Sequence, residues 1–216
     1  DINGREISLG CFPISIDVKG FAEMAEEKAQ TVDPAPLIRM IGVDRLDYSK
    51  GLPQRLAGYE QFLADYPDYC GKVSLLQIAP PTRDNVEAYQ DIREEMESTS
   101  GRINGRFGTI DWVPVQYMHR ALPRDELAVL YRYSYICLVT PLFDGMNLVA
   151  KEYVACRNDD TGALVLSEFT GAARELAQAW LVNPYDTSGV SEAIVAAAQA
   201  PEDERRRRMT AMRSTV

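Results

Sequence analysis

The chain has 216 residues, 46% of them hydrophobic, and a formal net charge of −9. This length and apolar content suit one large globular domain, which can bury a core without disulfides or metals. The acidic balance argues against a general nucleic-acid-binding protein, because such proteins carry basic surfaces. No apolar run approaches the roughly 20 residues of a membrane span and no signal peptide is visible, so we expect no membrane partner.

The cysteines are widely spaced and form no C-x-x-C pair, which argues against a zinc or redox motif. Cys137 lies inside an apolar run, where a buried free thiol is the usual state. Free thiols favour a reducing compartment, so we expect a cytoplasmic location. The four cysteines are Cys11, Cys70, Cys137 and Cys156.

The chain begins with an extended segment at residues 7–16, a helix at 18–30 and a proline-containing loop at 31–36. From residue 37 onward, short apolar runs alternate with amphipathic helical patterns. This alternation predicts an α/β fold, a Rossmann-like doubly wound parallel sheet with helices on both faces. The predicted strands are 37–43, 73–79, 113–118, 135–140, 162–167 and a short 181–182. The predicted helices are 52–66, 84–99, 123–133, 148–156, 171–179 and 188–200.

Two polar segments each follow a predicted strand and lead into a predicted helix. The first spans residues 42–51 and the second residues 140–152. In an open α/β sheet, strand carboxyl ends and helix amino ends meet at one edge, where ligands bind. We therefore expect both segments at the ligand-binding edge of the sheet.

The first segment carries two cations, Arg45 and Lys50, around an expected turn. A planar guanidinium and a mobile ammonium suit two neighbouring phosphates. A structural role is the alternative, in which Arg45 pairs with Asp44 or Asp47 and Lys50 is solvated. The residues alone leave both interpretations open.

The second segment places Asp144 and Gly145 before a helix whose first amides, at residues 147–149, lack intrahelical partners. Such amides can donate to a diphosphate or a sugar hydroxyl, and Glu152, one turn later, can reach a ribose diol. The alternative is that Asp144 caps the helix and Glu152 pairs with Lys151 or Arg157. Together, the two segments predict a nucleotide-sugar diphosphate as ligand, with cations on the phosphates and carboxylates on the sugar hydroxyls.

Two more side chains are candidates at the same edge. Arg83 follows the second predicted strand and is a third candidate phosphate ligand, with a surface ion pair as the alternative. His119 is the only histidine, and a lone histidine is more often structural than catalytic. Neither a Ser-His-Asp or Cys-His arrangement nor an Asp-x-Asp metal pair is visible, so we expect neither a covalent intermediate nor a metal.

Six segments occur in order along most of the chain. They are VDRLDYSKGLPQR (43–55), QIAPPTRDNVEAYQ (77–90), GRINGRFG (101–108), TPLFDGMNLVAKEY (140–153), VLSEFTGAA (165–173) and LVNPYD (181–186). Together they closely resemble the trehalose-6-phosphate synthase family, retaining glycosyltransferases of the GT-B architecture. The resemblance implies transfer of glucose from UDP-glucose to glucose 6-phosphate, forming α,α-trehalose 6-phosphate with the anomeric configuration kept.

The resemblance implies a role for each matched residue. Arg45 and Lys50 would hold the donor diphosphate and stabilise the charge that grows on it during catalysis. Asp144 would bind hydroxyls of the donor glucose, together with backbone groups of Met146 and Asn147.

The remaining roles concern the nucleotide and the acceptor. The amides of Leu148 and Val149 would contact the diphosphate, and Glu152 the ribose. The backbone near Leu122 would contact the uracil edge, and Arg83 would grip the acceptor phosphate. No cofactor is implied.

The resemblance also predicts the domain organisation. Residues 1–216 match the C-terminal, donor-binding half as a single domain, with a leading inter-domain segment (1–36), a core (37–200) and a truncated C-terminal helix region (201–216). The family's N-terminal acceptor domain is expected to be a missing partner, so the isolated chain is expected to be inactive. A homo-oligomer of the full-length protein stays open.

Other functions remain open at this point. A sister transferase would use another acceptor, such as glycerol 3-phosphate, or ADP- or GDP-glucose as donor. A catalytically silent nucleotide-sugar-binding module is the alternative of a different class, although the set of Arg45, Lys50, Asp144 and Glu152 argues against loss of activity. Retention without a nucleophile favours a front-face mechanism, in which the acceptor attacks from the side that the nucleotide leaves.

Overall fold

The structure is a computed structural model that describes residues 8, 10, 12–28, 37–81 and 87–216. Within these ranges the strands are β1 (Ile38–Val43), β2 (Val73–Ile78), β3 (Val115–Met118), β4 (Ile136–Val139), β5 (Ala163–Ser167) and β6 (Trp180–Val182). The helices are α1 (Val18–Lys28), α2 (Leu52–Asp65), α3 (Glu87–Phe107), α4 (Arg124–Tyr133), α5 (Leu148–Cys156), α6 (Ala172–Glu175), α7 (Thr187–Gln199) and α8 (Glu202–Arg213). Short 3-10 turns lie at Tyr48–Lys50 and Pro67–Tyr69.

The strands of the described residues form one parallel sheet in the order β3-β2-β1-β4-β5-β6. Every residue of β2, β4 and β5 is buried, because helices cover both faces of the sheet. The predicted α/β fold with a doubly wound parallel sheet is confirmed. The strand order reverses between β1 and β4, so the carboxyl ends of these two strands form a topological switch point.

Strand β4 shows how the two helical layers share the sheet. Cys137 and Val139 pack into one core with helices α1, α4 and α5, whereas Ile136 and Leu138 pack into the other with α2 and α7. The alternation follows from the two-residue period of a strand. Strand β4 is buried on both faces and has no polar face, which explains why it reads as a short continuous apolar run.

Two helices differ from the prediction by more than one residue at an end that the structure describes. Helix α3 runs to Phe107 instead of residue 99, because the buried Met96 and Ile103, seven positions apart, continue one apolar stripe along it. The start predicted at residues 84–86 lies outside the described residues. Helix α6 covers only Ala172–Glu175 of the predicted 171–179, and the chain then turns, with the Ala179 amide donating to the Leu176 carbonyl.

The first and the last of the described helices pack on the same helical layer. Helix α1 contacts α4 and α5 through the buried Phe21 and Ala25, and α8 contacts α5 through the buried Met209 and Met212. The division into residues 1–36, 37–200 and 201–216 stays a prediction. Among the helices that the structure describes, none is both long enough and apolar enough to cross a bilayer.

Candidate functional site

The two polar segments lie side by side at the switch point between β1 and β4. The Ser49 carbonyl accepts hydrogen bonds from the amides of Leu142 (2.8 Å) and Phe143 (3.3 Å). Gly51 has a φ of 61°, and a Cβ there would lie 2.5 Å from the Thr140 carbonyl oxygen. A side chain at this position would meet both a strained backbone and a clash. The first segment therefore depends on glycine to approach the second.

An ion pair joins the two segments. The Lys50 Nζ lies 2.7 Å from Oδ2 of Asp144, and the side chains are only 14% and 16% exposed. The Asn147 side-chain amide donates to the same carboxylate oxygen at 3.1 Å. Lys50 is therefore paired rather than solvated, and a cation and a carboxylate predicted for one ligand do meet.

Helix α5 begins beside this pair. Asn147, with a φ of 73°, is its N-cap, and its side-chain oxygen accepts from the Ala150 amide at 3.1 Å. The interpretation of Asp144 as the cap is therefore wrong. The cap leaves the amides of Leu148 and Val149 without an intrahelical acceptor, and the helix dipole makes this end favourable for an anion.

Glu152 lies one turn into α5 and is held by a tyrosine of α4. The Tyr131 hydroxyl donates to its Oε2 at 3.1 Å. Burial raises the pKa of Glu152 above its ordinary value, although the hydrogen bond from Tyr131 opposes this. Lys151 and Arg157 pair with other carboxylates, so the interpretation of Glu152 as their partner is wrong.

Arg45 is exposed, and among the described residues no ion pair involves it. Its acidic neighbours are both engaged elsewhere. Asp44 pairs with Arg55 at 2.7 Å, and Asp47 accepts from the amide and hydroxyl of Ser49 at 2.9 and 2.8 Å. Burial alone would raise the pKa of Asp47, but these hydrogen bonds hold it below its ordinary value. Arg45 is thus available to a ligand.

Two cavities accompany the predicted site residues. One, of about 920 Å³, is lined by Gly145 and Met146 of the second segment and by residues 12–14 and 168–171. The other, of about 490 Å³, is lined by Leu122 together with residues of β2, β3 and α4. The backbone predicted to meet the donor glucose and the residue predicted near the uracil therefore each border an open space.

The last two candidates have different outcomes. Arg83 lies outside the described residues, so its role stays a prediction. The His119 Nδ1 lies 3.1 Å from the Ala79 carbonyl oxygen, and the ring stacks near Tyr117. These contacts hold the ring beside the ends of β2 and β3, as is typical of a structural histidine.

Arg55 is the main residue that the sequence prediction missed. Its guanidinium is fully buried and joins Asp44 to Thr140 at the bases of the two segments. The sequence could have predicted this role, because Arg55 falls on the apolar stripe of α2 between Leu52 and Tyr59, and a cation at a buried position needs buried partners.

A steric contact also escaped the sequence prediction. A Cβ at Gly171 would lie 2.1 Å from the Gly145 carbonyl oxygen, so the backbone of the loop after β5 supports the second segment directly. The Gly171 amide donates to the Asp144 carbonyl at 3.2 Å, and the Ala172 amide to that of Met146 at 2.9 Å. Within the described ranges, no cluster of three or more His, Cys, Asp or Glu could hold a metal ion.

A doubly wound parallel sheet with a loop-lined switch point defines the class of α/β domains that bind ligands at the carboxyl edge of the sheet. The family model described as Glycosyltransferase family 20 matches residues 1–216. The chain therefore belongs to glycosyltransferase family 20, and the predicted family resemblance is confirmed.

Curated relatives agree with this assignment. The chain is 47% identical to the alpha,alpha-trehalose-phosphate synthase (UDP-forming) of Candida albicans, covering 94% of this chain and 44% of that protein. It is 46% identical to the trehalose-6-phosphate synthase of Mycobacterium leprae, covering 100% of this chain and 45% of that protein. The chain thus spans less than half the length of these relatives.

Solved structures show the same fold. An alpha,alpha-trehalose-phosphate synthase (UDP-forming) from Burkholderia xenovorans, in complex with glucose-6-phosphate, superposes with a TM-score of 0.91 at 45% identity, over 94% of this chain and 47% of that one. A structure from E. coli bound with UDP-2-fluoro glucose gives a TM-score of 0.88 at 44% identity, over 94% and 46%.

Proposed function

We propose that this chain supplies the donor-binding half of a retaining glycosyltransferase, which moves glucose from UDP-glucose to glucose 6-phosphate and forms α,α-trehalose 6-phosphate. The observation that carries the proposal is the meeting of Lys50 and Asp144, 2.7 Å apart, beside the amino end of α5. This arrangement offers a cation and helix amides to a diphosphate and a carboxylate to a sugar. The names of the relatives and the ligands of the solved structures support these substrates.

The diphosphate binds where positive groups converge. Arg45 is exposed and Lys50 lies beside the second segment, so each can contact a phosphate. The amides of Leu148 and Val149 add donors at the positive end of α5. Four donors of this kind compensate the charge of a diphosphate in an otherwise acidic chain.

The sugars and the base bind around this centre. Asp144 accepts hydrogen bonds from donor-glucose hydroxyls, with backbone groups of Met146 and Asn147 beside it. Glu152, oriented by Tyr131, accepts from the ribose. The backbone near Leu122 contacts the uracil edge.

Catalysis in this proposal is mainly electrostatic. The bond between glucose and the diphosphate breaks with oxocarbenium-like character, while the acceptor hydroxyl attacks from the same side. Arg45 and Lys50 neutralise the charge that grows on the departing diphosphate, and each preorganised donor of this kind contributes about 3 to 4 kcal/mol. Side chains, rather than a metal or cofactor, neutralise this charge in the proposed mechanism. Arg83 is assigned to the acceptor phosphate.

In this proposal these residues bind the donor, whereas complete transfer requires a protein of the relatives' length. In a GT-B enzyme the acceptor is held across a cleft between two domains, and holding both substrates in line is worth about 7 to 11 kcal/mol. The chain alone should therefore bind the donor without transferring glucose. A cytoplasmic location is part of the proposal, supported by the free thiols of Cys70, Cys137 and Cys156.

Donor choice is tested by calorimetric titration of the chain with UDP-glucose, ADP-glucose and GDP-glucose. We expect measurable binding of UDP-glucose and weaker binding of the other two. Preference for another base would assign a sister transferase, and binding of none of the three would refute the donor site.

Acceptor choice is tested by UDP release and product chromatography, on the chain and on a protein of the relatives' length. We expect trehalose 6-phosphate from glucose 6-phosphate with the longer protein alone. Turnover only with glycerol 3-phosphate would assign a sister transferase, and donor binding without any transfer would assign a silent module. Equal turnover by the chain would contradict the division of labour.

A further inference from the structure

We propose that Arg55 is a positioning residue for the donor diphosphate, which holds the two polar segments together from beneath so that Lys50 and the start of α5 converge. The inference rests on the proposed function and deepens it. Arg55 does not touch the ligand in this proposal. It acts through Asp44 at the base of the first segment and Thr140 at the base of the second.

The guanidinium of Arg55 is fully buried, and each of its three nitrogens has one acceptor. Nη2 donates to Oδ2 of Asp44 at 2.7 Å, Nε to the hydroxyl oxygen of Thr140 at 3.0 Å, and Nη1 to Oε1 of Gln77 at 3.0 Å. These acceptors come from the ends of β1 and β4 and from β2. One planar group therefore fixes the relative position of three neighbouring strands.

The space for this group is made by a glycine. A Cβ at Gly42 would lie 2.7 Å from Nη1 of Arg55 and 2.5 Å from Oε1 of Gln77. The side-chain nitrogen Nε2 of Gln77 donates to the carbonyls of Gly42 (3.2 Å) and Ile78 (3.1 Å), which fixes the direction of the side-chain oxygen. The acceptor for Nη1 is therefore itself held in place.

A role in core stability alone accounts poorly for this arrangement. Burying a charge is expensive, and well-packed apolar residues often serve a core as well as a buried ion pair does. Moreover, the partners of Arg55 are not spread through the core. Asp44 directly precedes Arg45, and Thr140 is the residue whose carbonyl Gly51 approaches.

Helix α2, which carries Arg55, also begins directly after the first segment. Gly51 is its N-cap, and the Arg55 amide donates to the Gly51 carbonyl at 2.9 Å. A shift of the guanidinium would therefore move Lys50 relative to Asp144. In an enzyme, misplacement of the reacting groups by about 1 Å can lower the rate on the order of 100-fold, so small shifts of such groups matter.

The test separates positioning from stability by comparing UDP with uridine, which lacks the diphosphate. Thr140→Val keeps the side-chain shape and removes one acceptor of Arg55, and Arg55→Lys keeps the charge but loses the planar fork. Tyr59→Phe is the matched control, because Tyr59 is also buried in α2 but its hydroxyl donates to the Pro114 carbonyl at 3.1 Å, away from the segments. Affinities are measured by calorimetry and folding by thermal denaturation.

We expect Thr140→Val and Arg55→Lys to weaken UDP binding on the order of tenfold or more, and to leave uridine binding unchanged. Tyr59→Phe should lower the unfolding temperature without changing the ratio of the two affinities. Folded variants that keep the wild-type ratio would overturn the inference while leaving the donor site intact, and Thr140→Val decides if Arg55→Lys fails to fold. A wild-type chain that binds UDP no better than uridine would instead refute the diphosphate assignment itself, and this inference with it.

Discussion

Asp144 has two potential partners in the proposed site, since its carboxylate holds the Lys50 ammonium at 2.7 Å and is also assigned to the donor glucose. A diphosphate that binds Lys50 has to share or replace this contact. The glucose hydroxyls of UDP-glucose can donate to the Asp144 carboxylate in place of the Lys50 ammonium. UDP has no glucose and therefore cannot replace that contact. In the proposed site, we therefore expect Asp144 to favour the intact donor over the nucleotide product.

We predict that Asp144→Asn raises the affinity for UDP several-fold and removes most of the advantage of UDP-glucose over UDP. The substitution frees the Lys50 ammonium and removes a negative charge beside the phosphates, and a hydrogen bond to a charged group is worth about 1.5 to 3 kcal/mol. Calorimetric titration with both ligands measures the two effects.

Asp160→Asn is the matched control for this substitution. Asp160 also forms an ion pair at 2.8 Å, with Arg213 of α8, at a surface away from the polar segments. Its substitution should leave both affinities unchanged. Weaker binding of UDP in Asp144→Asn would contradict the competition between carboxylate and diphosphate.

Glu152 leads to a second prediction about a single residue. Because burial raises the pKa of Glu152 in the folded chain, the folded state binds the carboxyl proton more tightly than the unfolded state does. Its contribution to stability is thus present at low pH and is lost as pH rises through the raised pKa. We predict that Glu152→Gln is more stable than the wild type at pH 7, and that the difference shrinks towards pH 5. Chemical denaturation across this range measures it.

The same residue is expected to matter for the ribose. The ratio of the affinities for UDP and 2′-deoxy-UDP should fall in Glu152→Gln, whereas the stability rises. A variant that is less stable at pH 7 would contradict the cost assigned to the buried carboxylate, and an unchanged ratio would remove Glu152 from the ribose.

Among the elements, the start of α5 depends on the loop after β5. We predict that Gly171→Ala weakens UDP-glucose binding and destabilises the chain by about 1 to 3 kcal/mol, because its Cβ would lie 2.1 Å from the Gly145 carbonyl oxygen. Calorimetry and denaturation measure the two effects. Wild-type affinity in a folded variant would show that the loop does not support the second segment.

Helix α3 offers the contrasting glycine. Gly101 is exposed inside this helix, and a Cβ there would meet nothing within 4 Å. We predict that Gly101→Ala stabilises the chain by about 0.5 to 1 kcal/mol and leaves ligand binding unchanged, because alanine favours the helix without a clash. A loss of stability, measured by the same denaturation experiment, would contradict the helical assignment beyond residue 99.

Local patterns were sufficient to predict most elements. The apolar runs of β2 and β4 and the helix Leu148–Cys156 followed directly from strand burial and helical spacing. The length of α3 was underestimated, because the glycines at 101 and 105 obscure a stripe that Ile103 continues. Contacts between distant segments, such as those of Arg55 and Gly171, could not be derived, since they depend on how the elements pack.

In the whole molecule, the strand order explains why the candidate residues meet. Met40 of β1 pairs with Ile136 of β4. The strand that follows β1 in the chain lies on one side of this pair, and the strand that follows β4 lies on the other side. The sequence predicted a parallel sheet and the edge at which both segments lie, but the pairing of β1 with β4 is long-range and is not encoded in either run. That pairing brings Lys50 to Asp144.

The central claim, that a nucleotide-sugar diphosphate binds at this switch point, is tested most directly by the calorimetric affinity of three lysine and arginine variants for UDP-glucose. Lys50→Ala and Arg45→Ala each remove a cation from the site, whereas Lys72→Ala removes an exposed cation just before β2, at the opposite edge of the sheet. We predict about 10- to 100-fold weaker binding for the first two and no change for Lys72→Ala. Wild-type affinity in both Lys50→Ala and Arg45→Ala would contradict the account.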